Sequence, residues 1–260
     1  GENPITMSKS AGLAVIELTT IFSNLKPNIV LTIADRYETL PIAMASTYMN
    51  IPLAHTQGGE ITGSIDESVR HATTKLAHIH FPATKKSAIN LKKLGEYPNN
   101  IFFTGCPSID LIKRANLKID KNFVKKYAPS GVGTDINFLK KYIVILQHPV
   151  TTEYGSGLRQ IKATIDAVKD LNTQIVWLWP NVDAGSDDIS KGLRIFRETY
   201  KGKKIKFYKN FDPENYLKLI NNAACMVGNS SSALREGSYL GIPAVNIGTR
   251  QNGRERGKNV

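Results

Sequence analysis

The chain has 260 residues, of which 41% are hydrophobic and 22% charged. This length predicts one large domain or two of ordinary size, and no apolar run approaches the roughly 20 residues of a membrane span. The net charge of +12 would suit nucleic acid, but the lysines are dispersed and no recognition motif accompanies them, so we expect neither a nucleic-acid nor a membrane partner. Two cysteines far apart in the sequence argue against a disulfide framework and favour a reducing cytoplasm.

In chain order, short apolar runs alternate with longer segments of helical periodicity. The chain opens as an amphipathic helix over residues 1–22. The predicted strands that follow are 28–33, 51–55, 80–82 and 101–104, and the predicted helices are 38–49, 68–78 and 85–94. Residues 118–138 then have the composition of a linker.

After the linker the alternation restarts, which predicts a second domain. Its predicted strands are 142–146, 174–179, 205–208, 225–228 and 243–247, and its helices are 156–170, 188–200, 213–223 and 231–240. Strands that alternate with helices indicate βαβ units and parallel sheets. The sequence therefore predicts an α/β protein with two doubly wound, Rossmann-like domains, 1–122 and 123–260, facing a cleft. Ligands of such sheets bind outside the carboxyl ends of the strands.

Three strand-to-helix junctions carry polar residues that could form a site. Asp35 and Arg36 follow the first strand of this series, where a plain helix cap and a surface ion pair are the alternative explanation. The stretch HTQGGEITGSIDESVRH follows the second, and its adjacent glycines let the backbone turn sharply or approach a ligand. His148 follows the first strand of the second domain. A lone histidine there is more often structural than catalytic.

The most specific junction is VGNSSSALREGSYLGIPAVNIGTR. A strand runs into Asn229, Ser230 and Ser231 and then into a helix, whose free N–H groups and hydroxyls form an anion site. A plain helix cap would need only one serine. Glu236 lies about one and a half turns into the helix and suits the two hydroxyls of a ribose, while Arg250 could meet phosphate. These residue types together predict a site for a nucleoside diphosphate.

Metal and dinucleotide chemistry are not predicted. His78 and His80 alternate along a strand without a cysteine or a third ligand, which is not a zinc pattern. No Walker motif, G-x-G-x-x-G or G-x-S-x-G is present. Trp177 and Trp179 share one face of a strand and are expected to pack in the core.

A family resemblance is carried by five segments: ADRYET, HTQGGEITGSIDESVRHATTKLAH, TGCPSID, LQHPVTT and GNSSSALREGSYLGIPAVNIGTRQNGRERGKNV. They resemble the hydrolysing UDP-N-acetylglucosamine 2-epimerases, which make N-acetylmannosamine for sialic and related nonulosonic acids. The resemblance implies the GT-B architecture, UDP bound to the second domain, a homodimer and no cofactor. It also implies further family segments on both sides, so we expect the chain to be truncated at both ends.

The resemblance implies a mechanism as well. UDP leaves by elimination across C1–C2 of the sugar, and water then adds to the resulting 2-acetamidoglucal with inversion at C2. The matching positions are Asp35, Gln57, Asp66 and His148 for catalysis, and Arg36, Glu60, Asn229, Ser230, Ser231, Glu236 and Arg250 for substrate binding.

One position departs from the family pattern. Well-known members carry Glu where Gln57 stands, and an amide cannot act as a proton base. The acid–base work then falls on Asp35, Asp66 and His148, with Glu60 as a nearby substitute. A non-hydrolysing epimerase and a GT-B glycosyltransferase remain the alternative functions.

Overall fold

The computed structural model describes residues 3–202 and 204–260, so the first two residues of the expected opening helix lie outside it. The chain forms two compact units. Unit 1 comprises residues 3–107 and 252–254, and unit 2 comprises residues 108–251 and 255–260. The division comes earlier than the expected boundary after residue 122. The reason is the helix that begins at Pro107, whose Ile112 packs with Leu217 and Ile220 in the core of unit 2.

Unit 1 is built on a three-stranded parallel sheet in the order β1-β2-β3. Its elements are α1 (Pro4–Leu25), β1 (Val30–Ile33), α2 (Thr39–Tyr48), β2 (Leu53–Thr56), α3 (Ile65–Leu76), β3 (Ile79–Phe81), α4 (Lys85–Lys93) and a 3-10 turn (Pro98–Asn100). The strand expected at 101–104 is reduced to a single bridge between Ile101 and His80. The chain turns away soon afterwards at Gly105, whose φ is +86°, and Pro107 then opens a helix.

Helix α1 corrects one expectation from the sequence. It begins with a capping box, in which the Asn3 side chain accepts a hydrogen bond from the Thr6 N–H at 2.9 Å. By length and composition α1 is long and apolar enough to cross a membrane, so the statement that no segment reaches this length is wrong. Lys9, Glu17 and several serines and threonines interrupt its apolar residues, so no continuous apolar run reveals it. Core helices and signal sequences meet the same criterion, and α1 alone is weak evidence for a membrane span.

Unit 2 is built on a six-stranded sheet in the order β4-β7-β6-β5-β8-β9, with only β4 antiparallel to its neighbour. Its elements are α5 (Pro107–Arg114), α6 (Lys121–Tyr127), β4 (Val132–Gly133), β5 (Tyr142–Leu146), a 3-10 turn (Thr151–Glu153), α7 (Gly157–Val168), β6 (Gln174–Leu178), α8 (Ser186–Thr199), β7 (Ile205–Tyr208), α9 (Pro213–Asn221), β8 (Cys225–Gly228), α10 (Ser231–Leu234), α11 (Glu236–Leu240) and β9 (Ala244–Asn246).

Helices cover both faces of this sheet, which explains why its central strands are continuously apolar. Ile145 of β5 packs against α7 and α8 on one face, whereas Val144 belongs to the cluster on the other face. Trp177 is fully buried in the first cluster and Trp179 packs against it, as expected. The two helical layers hold the carboxyl ends of the strands at fixed positions.

Two segments of unit 2 differ from the prediction. The expected linker contains α6 and β4: Asp120 caps α6 by accepting from the Phe123 N–H at 2.8 Å, and Phe123 and Tyr127 enter the core. Lysines and glycines around these few apolar residues hid both elements from the sequence pattern. The helix expected at 231–240 is divided into α10 and α11 at Arg235, where ψ of −78° departs from helical geometry.

Candidate active site

Strand register brings the predicted residues of unit 1 to one edge of the sheet. Ile33 at the end of β1 lies opposite Thr56 at the end of β2, which in turn lies opposite Phe81. The chain therefore leaves both strands at the same level, and Asp35 and Gln57 emerge at the same carboxyl edge. This is the edge at which parallel sheets bind ligands.

Asp35 is paired with an arginine that the sequence analysis missed. Arg70 of α3 is fully buried, and its guanidinium forms a close ion pair with the Asp35 carboxylate. Its Nη1 also donates a hydrogen bond to the Glu60 carbonyl oxygen at 2.8 Å. A desolvated positive charge this close favours the ionised form of the carboxylate. The available signal was spacing, since Arg70 follows Asp66 by four residues and so lies one turn along the same helix face.

Asp66 lies in the first turn of α3, close to its predicted place at a helix start. Its side chain is half-buried and Oδ2 accepts a hydrogen bond from the Ser64 hydroxyl at 2.8 Å. A carboxylate in a first helical turn is stabilised by the free N–H groups there. Asp66 and the Arg70–Asp35 pair thus share one helix as their support.

Gln57 and Glu60 are both buried in the loop after β2. Gln57 adopts a left-handed backbone conformation with φ of +61°, and its Nε2 points to the Cys106 sulfur at 3.8 Å. The Glu60 carboxylate pairs with Arg254, which belongs to the 252–254 segment of unit 1. Both partners of this pair are at least nine-tenths buried. Glu60 is therefore a neutralised anion inside the protein, and Arg254 is a second partner that the sequence analysis missed.

The adjacent glycines of this loop have a packing role. A Cβ atom at Gly59, whose φ is +79°, would lie 2.3 Å from the Ser87 carbonyl oxygen of α4. A Cβ atom at Gly58 would lie 2.9 Å from Thr74 Oγ1 of α3. The glycines thus allow the loop to rest directly on two helices of its own unit. The close approach that these glycines permit is therefore to helices of the protein itself, which is a sufficient reason for both.

His55 fixes the turn that precedes Asp35. It is fully buried, with Nε2 2.8 Å from the Ala34 carbonyl oxygen and Nδ1 3.1 Å from Thr74 Oγ1. Since a carbonyl oxygen only accepts, Nε2 carries the proton. Burial lowers the pKa of His55 to about 4, against the opposing effect of the Ala34 carbonyl. A neutral ring therefore holds Ala34, which has a strained φ of +63°, directly before the carboxylate.

Arg36 matches the alternative explanation from the sequence. Its side chain is 52% exposed, and its guanidinium donates to both carboxylate oxygens of Glu38, at 3.0 and 3.2 Å. Partial burial acts to raise the pKa of Glu38, but the hydrogen bond and charge of Arg36 bring it below its usual value. Any anchoring of a substrate by Arg36 would have to compete with this pair.

In unit 2 the register aligns three strand ends. Leu146 at the end of β5 lies opposite Leu178 of β6 and opposite Gly228 of β8. The loops that follow carry His148, Asn181 and Asn229, so these residues meet at one carboxyl edge. His148 lies at the edge that the sequence predicts, but it is more buried than we expected for a ligand-facing side chain, with only 4% exposed.

The edge beside His148 carries the predicted anion-binding loop. The Ser230 hydroxyl caps α10 by accepting from the Ser232 N–H at 3.3 Å, and Ser231 opens the helix half-buried. Arg250 donates from Nη1 to the Asn229 carbonyl oxygen at 3.3 Å, which places its guanidinium against the loop. Because α10 has only four residues, a helix dipole can contribute little at this loop, and the polar groups here are the hydroxyls and Arg250.

Glu236 has an unusual carboxylate. Its Oε2 atom is buried and has no hydrogen-bond partner among the described residues. An unpaired buried carboxylate oxygen is costly, so a bound hydroxyl group would stabilise it. This is the behaviour expected of the residue that we assigned to a ribose.

The described part of the chain holds no group of three or more His, Cys, Asp or Glu side chains that could bind a metal ion. His78, directly before β3, and His80, within β3, both bind protein groups. His78 Nδ1 accepts from the Leu53 N–H at 3.2 Å, and His80 Nε2 lies 3.1 Å from a Glu96 carboxylate oxygen.

Comparison with known proteins places this geometry in context. The family model described as UDP-N-acetylglucosamine 2-epimerase matches residues 2–260. A Legionella pneumophila protein named UDP-N,N'-diacetylbacillosamine 2-epimerase (hydrolyzing) is 35% identical over 98% of this chain and 65% of its own length. A Campylobacter jejuni protein named GDP/UDP-N,N'-diacetylbacillosamine 2-epimerase (hydrolyzing) is 32% identical over 100% of this chain and 66% of its own. The chain thus spans just under two thirds of these relatives.

Solved structures show the same fold. The Methanocaldococcus jannaschii UDP-GlcNAc 2-epimerase in complex with UDP-GlcNAc and UDP has a TM-score of 0.77 at 18% identity, covering 94% of this chain and 67% of that one. The Neisseria meningitidis enzyme bound to UDP-GlcNAc has a TM-score of 0.75 at 18% identity, covering 94% and 66%. The expected α/β class, with Rossmann-like parallel sheets of the GT-B type, is confirmed.

Proposed function

The chain belongs to the UDP-N-acetylglucosamine 2-epimerase family, and on that premise we propose that it acts as a hydrolysing epimerase on a UDP-linked 2-acetamido sugar. The observation that carries the proposal is the position of Asp35, a carboxylate that the buried guanidinium of Arg70 holds at the carboxyl edge of a parallel sheet. Removal of a weakly acidic sugar proton needs a positioned base of this kind.

UDP is assigned to unit 2. Ser230, Ser231 and Arg250 would receive the pyrophosphate, and the unpaired oxygen of Glu236 would accept from a ribose hydroxyl. The Asn229 side chain already bonds the backbone of His148, so its contribution to the ligand would come through the position of the loop.

The proposed reaction has two steps. In the first, a carboxylate of Asp35 or Asp66 takes the C2 proton while the C1–O bond breaks and its electron pair leaves with UDP, assisted by His148. In the second, the hydroxyl of water bonds to C1 of the glucal, and a proton returns to C2 on the opposite face. The sum is UDP-sugar plus water giving UDP and the free 2-epimer. Gln57 would bind the sugar by its amide, since it cannot exchange a proton.

Two sugars are candidates. UDP-N-acetylglucosamine would give N-acetylmannosamine, the product that the family resemblance implies. The names of the relatives at 35% and 32% identity favour a UDP-linked sugar with a second acetamido group as the alternative. Arg36 and Glu60 would help to anchor the sugar. A homodimer in the cytoplasm is part of the same proposal and rests on the family likeness.

Isotopes test the reaction directly. We would incubate the protein with each UDP-sugar, once in deuterium oxide and once in heavy-oxygen water, and analyse the products by mass spectrometry. We expect free sugar with deuterium at C2, and UDP without heavy oxygen because the C1–O bond breaks. Asp35→Asn or Asp66→Asn, whichever removes the base, should abolish the deuterium incorporation, whereas Asp187→Asn in the first turn of α8 is the matched control and should not.

The alternatives give other products. A non-hydrolysing epimerase would return deuterated UDP-sugar and no free sugar. Heavy oxygen in UDP would mean cleavage of a P–O bond and would refute elimination. A glycosyltransferase would leave the UDP-sugar unconsumed until an acceptor alcohol is supplied, and it would place no deuterium at C2 in either case.

A further inference from the structure

Two neighbouring strands of unit 2 approach each other unusually closely at their carboxyl ends. Gly228, the last residue of β8, has φ of +139°, and a Cβ atom there would lie 1.9 Å from the Leu146 carbonyl oxygen of β5. Only glycine is compatible with this contact. The approach brings the next residue, Asn229, beside the chain that leaves β5 towards His148.

Asn229 uses its whole side-chain amide on the backbone of His148. Its Oδ1 accepts from the His148 N–H at 2.7 Å, and its Nδ2 donates to the His148 carbonyl oxygen at 2.9 Å. The side chain is buried, and the backbone of Asn229 is bonded as well, to Leu146 at 3.2 Å and to the Gln251 amide at 2.8 Å. Two bonds to the backbone of His148 fix the position and the orientation of that backbone, so Asn229 determines the point from which the His148 ring projects.

A third loop determines the state of that ring. The backbone N–H of Asn181, which follows β6, donates to His148 Nδ1 at 3.0 Å. A backbone N–H is always a donor, so Nδ1 must keep its lone pair. The neutral ring then carries its proton on Nε2, and an imidazolium would place two donors against each other. At Nε2 such a ring can donate a hydrogen bond but cannot accept a proton.

We propose that Asn229 is a positioning residue which, together with the Asn181 N–H, holds His148 as a neutral hydrogen-bond donor at Nε2. The acceptor of this bond is a pyrophosphate oxygen, which gains negative charge as it leaves the sugar. The identity of this acceptor rests on the proposed function. A preoriented neutral donor stabilises that charge without reorganisation during the reaction. Asn229 also accepts a bond from Arg250 at its carbonyl oxygen, so one residue joins the donor to the anion-binding loop.

Nitrogen NMR tests the tautomer without any turnover. In protein labelled with 15N-histidine, long-range correlations between ring nitrogens and carbon-bound protons distinguish the tautomers, and His148→Gln identifies the signals of His148. We expect the Nε2–H tautomer near neutral pH. A wild-type ring that is mainly Nδ1–H or doubly protonated would overturn the inference.

Variants then test the positioning. Asn229→Ala removes both bonds to His148, and Asn229→Asp keeps an acceptor but loses the donor, so both should release a mixture of tautomers. Asn222→Ala is the matched control, because this surface asparagine of unit 2 also binds carbonyl oxygens, those of Leu117 and Lys218. This variant should leave the His148 signals unchanged. Tryptophan fluorescence serves as the check of folding and should be the same in every folded variant.

Kinetics complete the test. Misplacing a catalytic group by about 1 Å can cost roughly 10²-fold in rate, so we expect kcat of Asn229→Ala to fall on that order while KM stays close to wild type. Variants that keep both the tautomer and kcat would refute the positioning role. A wild-type protein with no turnover on any UDP-sugar would refute the proposed function, and the tautomer measurement would still decide the state of His148.

Discussion

Acid should weaken unit 1 through a single buried histidine. His55 is fully buried between the Ala34 carbonyl oxygen and the Thr74 hydroxyl, and burial lowers its pKa from 6.5 to about 4. This value includes smaller contributions from His80 and His71, which lower the pKa, and from the Ala34 carbonyl and Glu60, which raise it. In the unfolded chain the ring takes a proton more readily than in the folded one. The contribution of His55 to the free energy of unfolding is therefore fully present above about pH 6.5 and is lost as the pH falls towards about 4.

The size of the effect follows from these two pKa values. When the ring is protonated in the unfolded chain and still neutral in the folded one, the free energy of unfolding has lost about 3 kcal/mol. Between about pH 7 and about pH 5 roughly 2 kcal/mol of that should already be lost. This is a large fraction of the stability of an ordinary domain, about 5–15 kcal/mol.

Urea unfolding at both pH values measures this loss. His55→Gln keeps an amide donor and acceptor but does not titrate, so the variant should lose roughly 2 kcal/mol less than wild type between about pH 7 and about pH 5. Far-UV circular dichroism reports both units, whereas fluorescence reports unit 2 alone, because Trp177 and Trp179 are the two tryptophans of the chain. Equal pH dependence in wild type and His55→Gln would refute the argument, whatever the absolute stability of the variant.

Three further predictions use matched pairs or a direct titration. Arg70→Met should destabilise the protein by about 3–5 kcal/mol in urea, because it leaves a largely buried carboxylate uncompensated, whereas Arg36→Met at an exposed pair should cost about 0–1 kcal/mol; equal losses would contradict the role of burial. Glu236→Gln should weaken UDP binding by about 1–3 kcal/mol in calorimetric titration, and unchanged affinity would remove this residue from the nucleotide site. Gly59→Ala should lower the thermal midpoint well beyond Gly95→Ala, since both need left-handed backbone but only Gly59 meets a carbonyl oxygen at 2.3 Å, and similar shifts would show that the loop can move away from α4.

The predictable part of the fold is the part that repeats. Central strands such as Tyr142–Leu146 are buried on both faces, so their apolar runs are unbroken and their bounds follow from composition. Helix α6 could not be found in this way. Its stability comes from Phe123 and Tyr127, whose partners are distant in sequence, and from the cap at Asp120, because a helix of seven residues is too short to be stable by itself.

The same distinction applies to the site. Asp35, Gln57 and His148 were predictable as positions, because each follows a strand end and parallel register brings strand ends together. Their chemical states were not, because these depend on partners from other elements. Arg70 of α3 pairs with Asp35, and the Asn181 N–H donates to Nδ1 of His148, from which we infer the tautomer.

Asn229 shows which part of a loop motif the sequence predicts and which part depends on the fold. Its place in GNSSS indicates a contact with the nucleotide, and nothing in the segment shows that the amide would face the protein. That direction is set by Gly228, which lets β8 approach Leu146 so closely that the side chain of Asn229 meets the backbone of His148 first. A loop for which we propose an anion site can therefore also support a residue 81 positions away, as the bonds between 148 and 229 do here.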